Sequence, residues 1–411
     1  MRSINRESLS GHRQSWSIAS RAAIASIFIA AAGNARAQDF NLAPPNAADQ
    51  RPAFPGQTRA PVINDSIQLI STVVAEGLEN PWGIAELPDG GWLVTERPGR
   101  MRLVRSDGTV SEPIQGVPEV VARGQGGLLD VAVRDDFEES RRVWWSFSQP
   151  RGAEGNATAV ATGVLSADGA ALGDVRVVFQ QQPAWRSNNH FGSRLVFDRD
   201  GALFVTTGER SQRRPRQLAQ DVGTHLGKII RINPDGGAAP GNPQLEGGLP
   251  EIWSFGHRNV QAAALGPDGA LWTIEHGPRG GDELNRPEPG KNYGWPIITY
   301  GENYSGAPIG EGITARDGME QPIYYWDPVI APSGMAFYDG SMFPEWRGSI
   351  LVGGLSSRSL VRLTLSAGRV AGEARYLEGT GRIRDVAVAR DGSIVLLTDD
   401  GGQVLRVTRG N

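Results

Sequence analysis

Residues 253–295 read WSFGHRNVQAAALGPDGALWTIEHGPRGGDELNRPEPGKNYGW, and this stretch contains the pattern that decides the fold. In its middle, residues 262–274, two apolar runs flank a Pro-Asp-Gly turn, which predicts a β-hairpin. Polar residues stand at both ends of the hairpin, as GHRN at 256–259 and HGPRGGDE at 276–283. The glycine-rich second end has backbone carbonyls that are available to bind a ligand.

The same arrangement of a small-apolar strand, a turn and a second strand recurs along the chain. Six copies begin near Pro81, Gln125, Phe191, Arg258, Pro332 and Arg382. Repeats of short antiparallel strands of this size are typical of a β-propeller, and six copies predict six blades. No helical pattern of about 10–15 residues alternates with the strands, which disfavours a βαβ fold. We therefore predict an all-β, six-bladed β-propeller.

The composition agrees with this fold and excludes some kinds of binding site. The 411 residues include 54 glycines and 27 prolines, as expected for short strands joined by turns. Cysteine is absent, which excludes disulfides and thiolate metal sites, so any metal must be held by oxygen or imidazole. The formal net charge of −4 offers no basic field for nucleic acid.

The N-terminal sequence predicts export. Arginines precede an apolar run at 22–32, and Ala35-Arg36-Ala37 supplies a small-x-small cleavage site, so residues 1–37 are predicted to be a signal peptide. The apolar run is too short to span a bilayer. We expect a periplasmic protein in which residues 38–64, rich in Pro, Ala, Asn and Gln, form a flexible lead-in to a propeller over residues 65–411.

In a propeller, residues that are distant in sequence lie close together, because the innermost strands of all blades converge on one axis. The starts of the copies should therefore be neighbours and form one basic, amide-rich funnel. The candidates are Gln125, His190, Arg258, Asn259, Pro332, Ser333, Arg382 and Arg384.

Two groups in this funnel can carry chemistry. The imidazole of His190 is suited to take a proton near neutral pH, and Glu209, which ends the next strand of the same blade, could orient the ring. The alternative is a histidine bonded to backbone carbonyls. The guanidiniums of Arg258, Arg382 and Arg384 suit carboxylates and quinone or carbonyl oxygens. The alternative for them is salt bridging between blades.

Seven motifs occur in an order that resembles a known family. They are GQGGLLD, NHFGSRLVFD, GHRNVQ, EHGPRGGDELN, NYGWP, APSG and RIRD, between about residue 76 and residue 407. The chain is similar to the soluble aldose sugar dehydrogenases that depend on pyrroloquinoline quinone (PQQ), relatives of soluble glucose dehydrogenase. The resemblance implies a six-bladed propeller that holds PQQ and Ca²⁺ at its axis and oxidises the anomeric hydroxyl of aldoses to lactones.

The resemblance also implies residue roles. His190 matches the general base, while Arg258 and Asn259 match donors to the reacting quinone oxygen. Further cofactor contacts match Gln125, Tyr304, Arg382 and Arg384. The carbonyls of Gly277 and Pro278 match calcium ligands beside the cofactor, and Glu283 and Tyr293 match a second, structural calcium site.

One departure from the family concerns a lysine that faces a cofactor carboxylate in relatives. This chain has Ser356 at that position. Because residues two apart on a strand face the same side, Arg358 is predicted to replace the lysine. The alternative is that Arg358 points to solvent.

Two other functions remain open from the sequence, a calcium-dependent propeller lactonase and a non-catalytic sugar- or protein-binding propeller. The expected partners are an aldose and an external electron acceptor, with no nucleic acid and no membrane span. The expected state is a monomer or a homodimer.

Overall fold

The computed structural model describes residues 40–410, so the signal peptide predicted for residues 1–37 lies outside the described residues. The described chain forms six antiparallel sheets arranged as the blades of a propeller, which confirms the predicted fold. No helix within residues 40–410 is long and apolar enough to cross a membrane.

The strands follow the chain from blade 1 to blade 6. Strand β1 is Leu69–Ala75, and blade 1 contains β2 Pro81–Glu86, β3 Trp92–Glu96 and β4 Arg100–Val104. Blade 2 contains β5 Leu128–Val133, β6 Arg142–Pro150, β7 Asn156–Leu165 and β8 Leu172–Gln180. Blade 3 contains β9 Gly192–Phe197, β10 Leu203–Thr207, β11 Lys228–Ile232 and β12 Ile252–Phe255.

Blade 4 contains β13 Val260–Leu265, β14 Leu271–Glu275, β15 Asp282–Asn285 and β16 Tyr324–Trp326. Blade 5 contains β17 Pro332–Phe337, β18 Ile350–Gly354, β19 Leu360–Ser366 and β20 Arg369–Tyr376. Blade 6 contains β21 Ile383–Val388, β22 Ile394–Thr398 and β23 Gln403–Arg409. Short helices occupy loops: α1 Phe137–Ser140, α2 Arg213–Gln217 and 3₁₀ turns at Phe40–Leu42, Gly152–Glu154, Leu218–Gln220 and Pro344–Trp346.

The ring closes through strand pairing between the two ends of the propeller. Strand β1 pairs antiparallel with β23, with Leu69 opposite Arg409, and so becomes the outer strand of blade 6. This pairing covers the edge of β23 and ties the N-terminal strand to the C-terminal one.

The innermost strands β2, β5, β9, β13, β17 and β21 share one burial pattern, in which the first four residues are buried and the last two are half-buried. Apolar side chains between neighbouring blades form the core; Ile274 of blade 4 and Val352 of blade 5, for example, belong to one buried cluster. The starts of the innermost strands therefore lie at equivalent depth around the axis.

A buried ion-pair group links the blades at the axis. Arg194 Nη1 of blade 3 lies 2.8 Å from Asp130 Oδ1 of blade 2 and 3.0 Å from Asp385 Oδ2 of blade 6. Asp385 therefore pairs with Arg194, whereas Arg384 is nearest to Asp399 among the carboxylates, at 3.6 Å. Gly83 is required at this point, because a Cβ there would lie 2.8 Å from Asp130 Oδ1.

The prediction of a flexible lead-in over residues 38–64 is wrong for the part that the structure describes, residues 40–64. The Gln57 side chain is fully buried, and its Nε2 donates to the carbonyl of Pro322 at 2.9 Å. The backbone N–H of Ala47 donates to Asp327 Oδ2 at 3.1 Å, and that of Ile63 donates to the carbonyl of Glu373 at 2.8 Å. The segment lacks periodicity because hydrogen bonds to blades 4 and 5, rather than an apolar face, hold it in place.

Candidate functional site

The structure brings Gln125, His190 and Glu209 together, as the sequence predicted. The backbone N–H of His190 donates to Gln125 Oε1 at 2.7 Å, and His190 Nδ1 lies 2.7 Å from Glu209 Oε1. Because a carboxylate can only accept, Nδ1 carries the hydrogen and Nε2 is left with a free lone pair. Nε2 has no hydrogen-bond partner within residues 40–410. The alternative of a histidine held by backbone carbonyls is therefore not what the structure shows.

The surroundings of His190 keep its ring neutral. Burial, followed by the positive charge of Arg258, lowers the pKa of His190 to about 4, against the opposing effect of Glu209. Glu209 itself is fully buried, and its Oε2 accepts the backbone N–H of Ser211 at 2.9 Å. A neutral imidazole oriented by a buried carboxylate can accept a proton over the whole neutral pH range.

Arg258 and Asn259 lie beside this pair. The backbone N–H of Glu209 donates to the carbonyl of Arg258 at 3.0 Å, and Arg258 Nη1 donates to the carbonyl of His276 at 2.9 Å. Glu275 holds the backbone N–H of Arg258 at 2.5 Å. The side-chain oxygen of Asn259 accepts the backbone N–H of Gly192 at 3.1 Å, which fixes the direction of its amide.

Several buried donors in this region have no partner among the residues described. They are Asn259 Nδ2, Arg258 Nε and Arg384 Nε. A buried donor without an acceptor costs about 1–3 kcal/mol, so such groups seldom occur together unless a ligand satisfies them. These donors are therefore available to a bound group that is rich in acceptor oxygens.

A cavity of about 300 Å³ lies at the centre of the funnel. Three arginines line it, Arg97, Arg382 and Arg384, and the only acid among the lining residues is Asp399. The other lining side chains include Trp82, Gln125, Leu129, Phe191, Ser193, Gln261, His276 and Leu355. Burial lowers the pKa of Arg384 to about 10, which leaves it charged at neutral pH. The cavity is therefore cationic and suits an anionic ligand.

Sequence reasoning did not single out several of these lining residues. Trp82 and Gln261 both lie at the start of a copy, so the expectation that copy starts meet at the axis could have identified them. Gln261 Oε1 accepts a hydrogen bond from Arg384 Nη1 at 3.3 Å. Arg97 and Asp399 follow the second strand of blades 1 and 6. The sequence signal for Arg97 and Asp399 was a polar residue just after the second strand of a copy, near the threonine with which that strand ends.

The carbonyls of Gly277 and Pro278 accept no hydrogen bond from the residues described. Asp282 fixes this loop, because its Oδ1 accepts the backbone N–H of Gly277 at 2.8 Å and its Oδ2 accepts those of Ile330 and Ala331 at 2.9 and 2.8 Å. Free carbonyl oxygens on a fixed loop are suitable ligands for a hard cation such as Ca²⁺.

The second predicted calcium pair, Glu283 and Tyr293, has a mixed environment. Burial and the nearby charge of Glu275 raise the pKa of Glu283 well above its usual value, which suits a carboxylate that a cation would neutralise. The hydroxyl of Tyr293 is already engaged, since it donates to the carbonyl of Arg286 at 2.8 Å. Within residues 40–410 no three His, Asp or Glu side chains are placed to hold a metal together, so a cation here needs backbone carbonyls as well.

Among the predicted cofactor contacts, Gln125, Arg382 and Arg384 line the cavity, while Arg258 and Asn259 lie beside it, next to Glu209 and Gly192. The other two, Tyr304 and Arg358, lie elsewhere. Tyr304 is 78% exposed, in the loop that precedes blade 4's last strand, and it does not line the cavity. Arg358 is also outside the cavity, and its Nη1 pairs with Asp400 at 2.8 Å. The strand alternation on which the Arg358 prediction rests does not apply, because the residue has a left-handed φ of 51° in a turn.

Comparison with known proteins agrees with this geometry. Residues 78–406 match the family model described as Glucose / Sorbosone dehydrogenase. The chain is 45% identical over 349 residues to the aldose sugar dehydrogenase YliI of Escherichia coli (strain K12), covering 82% of this chain and 92% of that protein.

Two solved structures show the same similarity. The soluble aldose sugar dehydrogenase from Escherichia coli, in the apo-form, is 42% identical with a TM-score of 0.80, covering 84% of this chain and 100% of that one. The PQQ-bound form of aldose sugar dehydrogenase from Streptomyces coelicolor is 31% identical with a TM-score of 0.69, again covering 84% and 100%.

Proposed function

Because the chain belongs to the glucose/sorbosone dehydrogenase family, we propose that it oxidises aldose sugars at the anomeric carbon to lactones, with PQQ and Ca²⁺ as cofactors. It is an oxidoreductase, and its relatives support sugar oxidation by a quinoprotein. The observation that carries the finer proposal is the contact between His190 Nδ1 and Glu209, which leaves the other ring nitrogen free beside unsatisfied donors.

The cationic cavity suits PQQ, an anionic quinone with carboxylates. Arg97, Arg382 and Arg384 would bind the carboxylates, and the free amide of Asn259 and the Nε of Arg258 would donate to a quinone oxygen. When bound, PQQ supplies the two-electron oxidant that the protein itself lacks.

His190 would act as the general base. Its neutral ring accepts the proton of the anomeric hydroxyl at Nε2, and the Glu209 carboxylate then stabilises the positive charge on the imidazolium. Gln125 fixes the backbone on which His190 stands. Arg258 contributes twice, since its charge keeps His190 neutral before the reaction and stabilises negative charge that develops beside it.

The loop at Gly277 and Pro278 would hold the Ca²⁺ that adjoins PQQ, with Asp282 fixing the two carbonyls. A cation at this position would also offset the carboxylate charges of Asp282 and Glu283. Glu283, with the carbonyl of Tyr293, is the proposed second calcium site.

Export remains part of the proposal. The signal-peptide pattern of residues 1–37 supports a periplasmic enzyme that passes its electrons to an external acceptor.

The test is reconstitution. Purified protein is mixed with PQQ and Ca²⁺, and the absorbance of the quinone is followed when glucose is added. Reduction of the quinone by wild-type protein, together with lactone formation, would support the proposal. Calcium-dependent lactone hydrolysis without PQQ would instead support the lactonase, and sugar binding without either reaction would support a binding propeller.

A further inference from the structure

A second cavity, of about 480 Å³, opens beside the catalytic funnel between blades 2 and 3. Its lining is polar and includes Arg123, Arg186, Asn156, Asn188, Asn189 and Gln212. Ligand pockets in proteins typically measure roughly 300–1,000 Å³, so this cavity can take a whole sugar unit rather than a single small ion.

The second cavity adjoins the catalytic residues across one shared wall. The backbone N–H of Gln125 donates to the carbonyl of Asn188 at 2.8 Å, while Gln125 Oε1 accepts the backbone N–H of His190. Gln125 lines the central cavity and Asn188 lines the second one. Asn189, which also lines the second cavity, directly precedes His190. The second cavity therefore lies directly beside the position of a sugar that reacts at His190.

The charge of the second cavity is positive, although the chain as a whole carries a net charge of −4. No Asp or Glu lines the cavity. The guanidinium of Arg123 forms no hydrogen bond or ion pair with any residue between 40 and 410. Arg186 is tethered through its Nε and Nη2, which donate to the carbonyl of Ala153 at 2.9 and 2.6 Å, and its Nη1 stays free.

A third guanidinium lies beneath the cavity. Arg210 is fully buried, its Nη2 donates to the carbonyl of Ser187 at 2.6 Å and to Asn156 Oδ1, and Ser187 and Asn156 both line the cavity. No carboxylate within the described part of the chain forms a direct ion pair with it. The floor of the cavity is therefore positive as well as its rim.

We propose that the second cavity is a subsite for the sugar unit that follows the reacting aldose, and that it selects a unit carrying a carboxylate, a hexuronic acid. The guanidinium fork of Arg123 matches a carboxylate, and the amides of Asn156, Asn188, Asn189 and Gln212 offer donors and acceptors for the hydroxyls of a sugar ring. This inference rests on the proposed function, since it assigns a substrate class to that site.

The experiment compares substrates on the holoenzyme. kcat/KM is measured for glucose, cellobiose and glucuronyl-β-1,4-glucose with wild-type protein, with Arg123→Gln and with Arg105→Gln. Arg105 is an exposed arginine in a turn of blade 1 and serves as the charge-matched control. Both substitutions are on exposed side chains, so both variants should keep wild-type stability.

Wild-type protein should prefer the acidic disaccharide to cellobiose, and Arg123→Gln should lower kcat/KM for the acidic disaccharide about fivefold, as is typical of a solvent-accessible ion pair. Its kcat/KM for glucose and cellobiose should not change, and Arg105→Gln should behave as wild type. Equal rates on the two disaccharides, or an equal loss on both, would overturn the subsite. An Arg123-dependent preference for glucose 6-phosphate over glucose would also overturn it, because the anion would then belong to the reacting sugar.

A binding measurement separates this inference from the proposed function. Glucuronyl-glucitol lacks an anomeric centre and cannot be oxidised, yet it retains the acidic unit. Calorimetry should show binding that Arg123→Gln weakens about fivefold. If the alditol binds in this way while no aldose is oxidised, the subsite stands and the proposed function fails. If aldoses are oxidised and the alditol does not bind, the subsite fails alone.

Discussion

Replacement of Glu209 by glutamine gives a sharp test of how His190 is controlled. Glu209 Oε1 lies 2.7 Å from His190 Nδ1, and the carboxylate is fully buried. Glutamine has nearly the same shape and can still accept from Nδ1–H through its amide oxygen. The substitution therefore removes the negative charge while leaving one hydrogen bond in place.

The size of the effect follows from what the charge does when the ring is protonated. A hydrogen bond to a charged group contributes roughly 1.5–3 kcal/mol, which corresponds to about a ten- to hundredfold lower kcat/KM. Glu209 also raises the pKa of His190, and it opposes burial and Arg258, which hold that pKa at about 4. Without the carboxylate the pKa falls further, so the acid limb of the pH profile should move to lower pH while the plateau falls.

The assay is kcat/KM for glucose between about pH 3 and pH 8, with holoenzyme prepared from wild type and Glu209→Gln. Two controls are PQQ titration and thermal melting, which should show similar cofactor binding and an intact fold. A plateau equal to that of wild type would refute the role given to Glu209. An acid limb that moved to higher pH would refute the sign of the electrostatic argument.

The other predictions concern the base, the metal and the arginines. His190→Gln should keep PQQ binding but lose roughly 10²–10⁴ in turnover, measured by steady-state kinetics beside a PQQ titration; turnover near wild type would exclude His190 as the base. Chelation of Ca²⁺ from the holoenzyme should release PQQ and lower Tm, because ligands that bind only the native state add stability, and an unchanged melting curve would contradict the calcium sites. Arg384→Ala should weaken PQQ binding about ten- to hundredfold in a PQQ titration, since it removes a buried charged donor. Arg358→Ala should leave the affinity unchanged, because Arg358 pairs with Asp400 outside the cavity. Equal affinities for the two variants would contradict the assignment of the cavity to PQQ.

The sequence predicted the centre of the site well because the site is built from repeat starts. Each innermost strand begins at the same depth, as the shared burial pattern of β2, β5, β9, β13, β17 and β21 shows. Residues at or just before the starts of these strands, such as Gln125, His190, Arg258 and Arg384, therefore meet around one axis. A pattern that recurs along the chain carries three-dimensional information when the fold is a closed ring.

The predictions that the structure does not support concern segments outside the repeat. Arg358 stands in a turn with left-handed backbone, and Tyr304 stands in a long loop, so no periodic rule places either side chain. The segment before the propeller fails for a related reason. Gln57 is buried by hydrogen bonds to Pro322 and Tyr300, and such contacts between distant residues leave no periodic trace in the sequence.

The ends of the second strands follow a rule of their own. In blades 1, 3, 4 and 6 an acidic residue lies at or just after the end of the second strand and contacts the start of an innermost strand. In blade 1 Glu96 accepts the backbone N–H of Glu79, and in blade 3 Glu209 contacts His190. In blade 4 Glu275 contacts His257 and accepts the backbone N–H of Arg258, and in blade 6 Asp399 lies between Arg382 and Arg384.

This placement follows from the antiparallel hairpin, because the end of the second strand returns to the beginning of the first. The same repeat that brings the cations and the base to the axis thus supplies each of these blades with the carboxylate that orients them. A buried carboxylate is costly without partners, and here the start of the blade provides them. The hydrogen bond between His190 and Glu209 is therefore one of four contacts of this kind. In blade 4 both ring nitrogens of His257 are bonded, to Ser254 and Glu275, whereas His190 keeps one ring nitrogen free to take a proton.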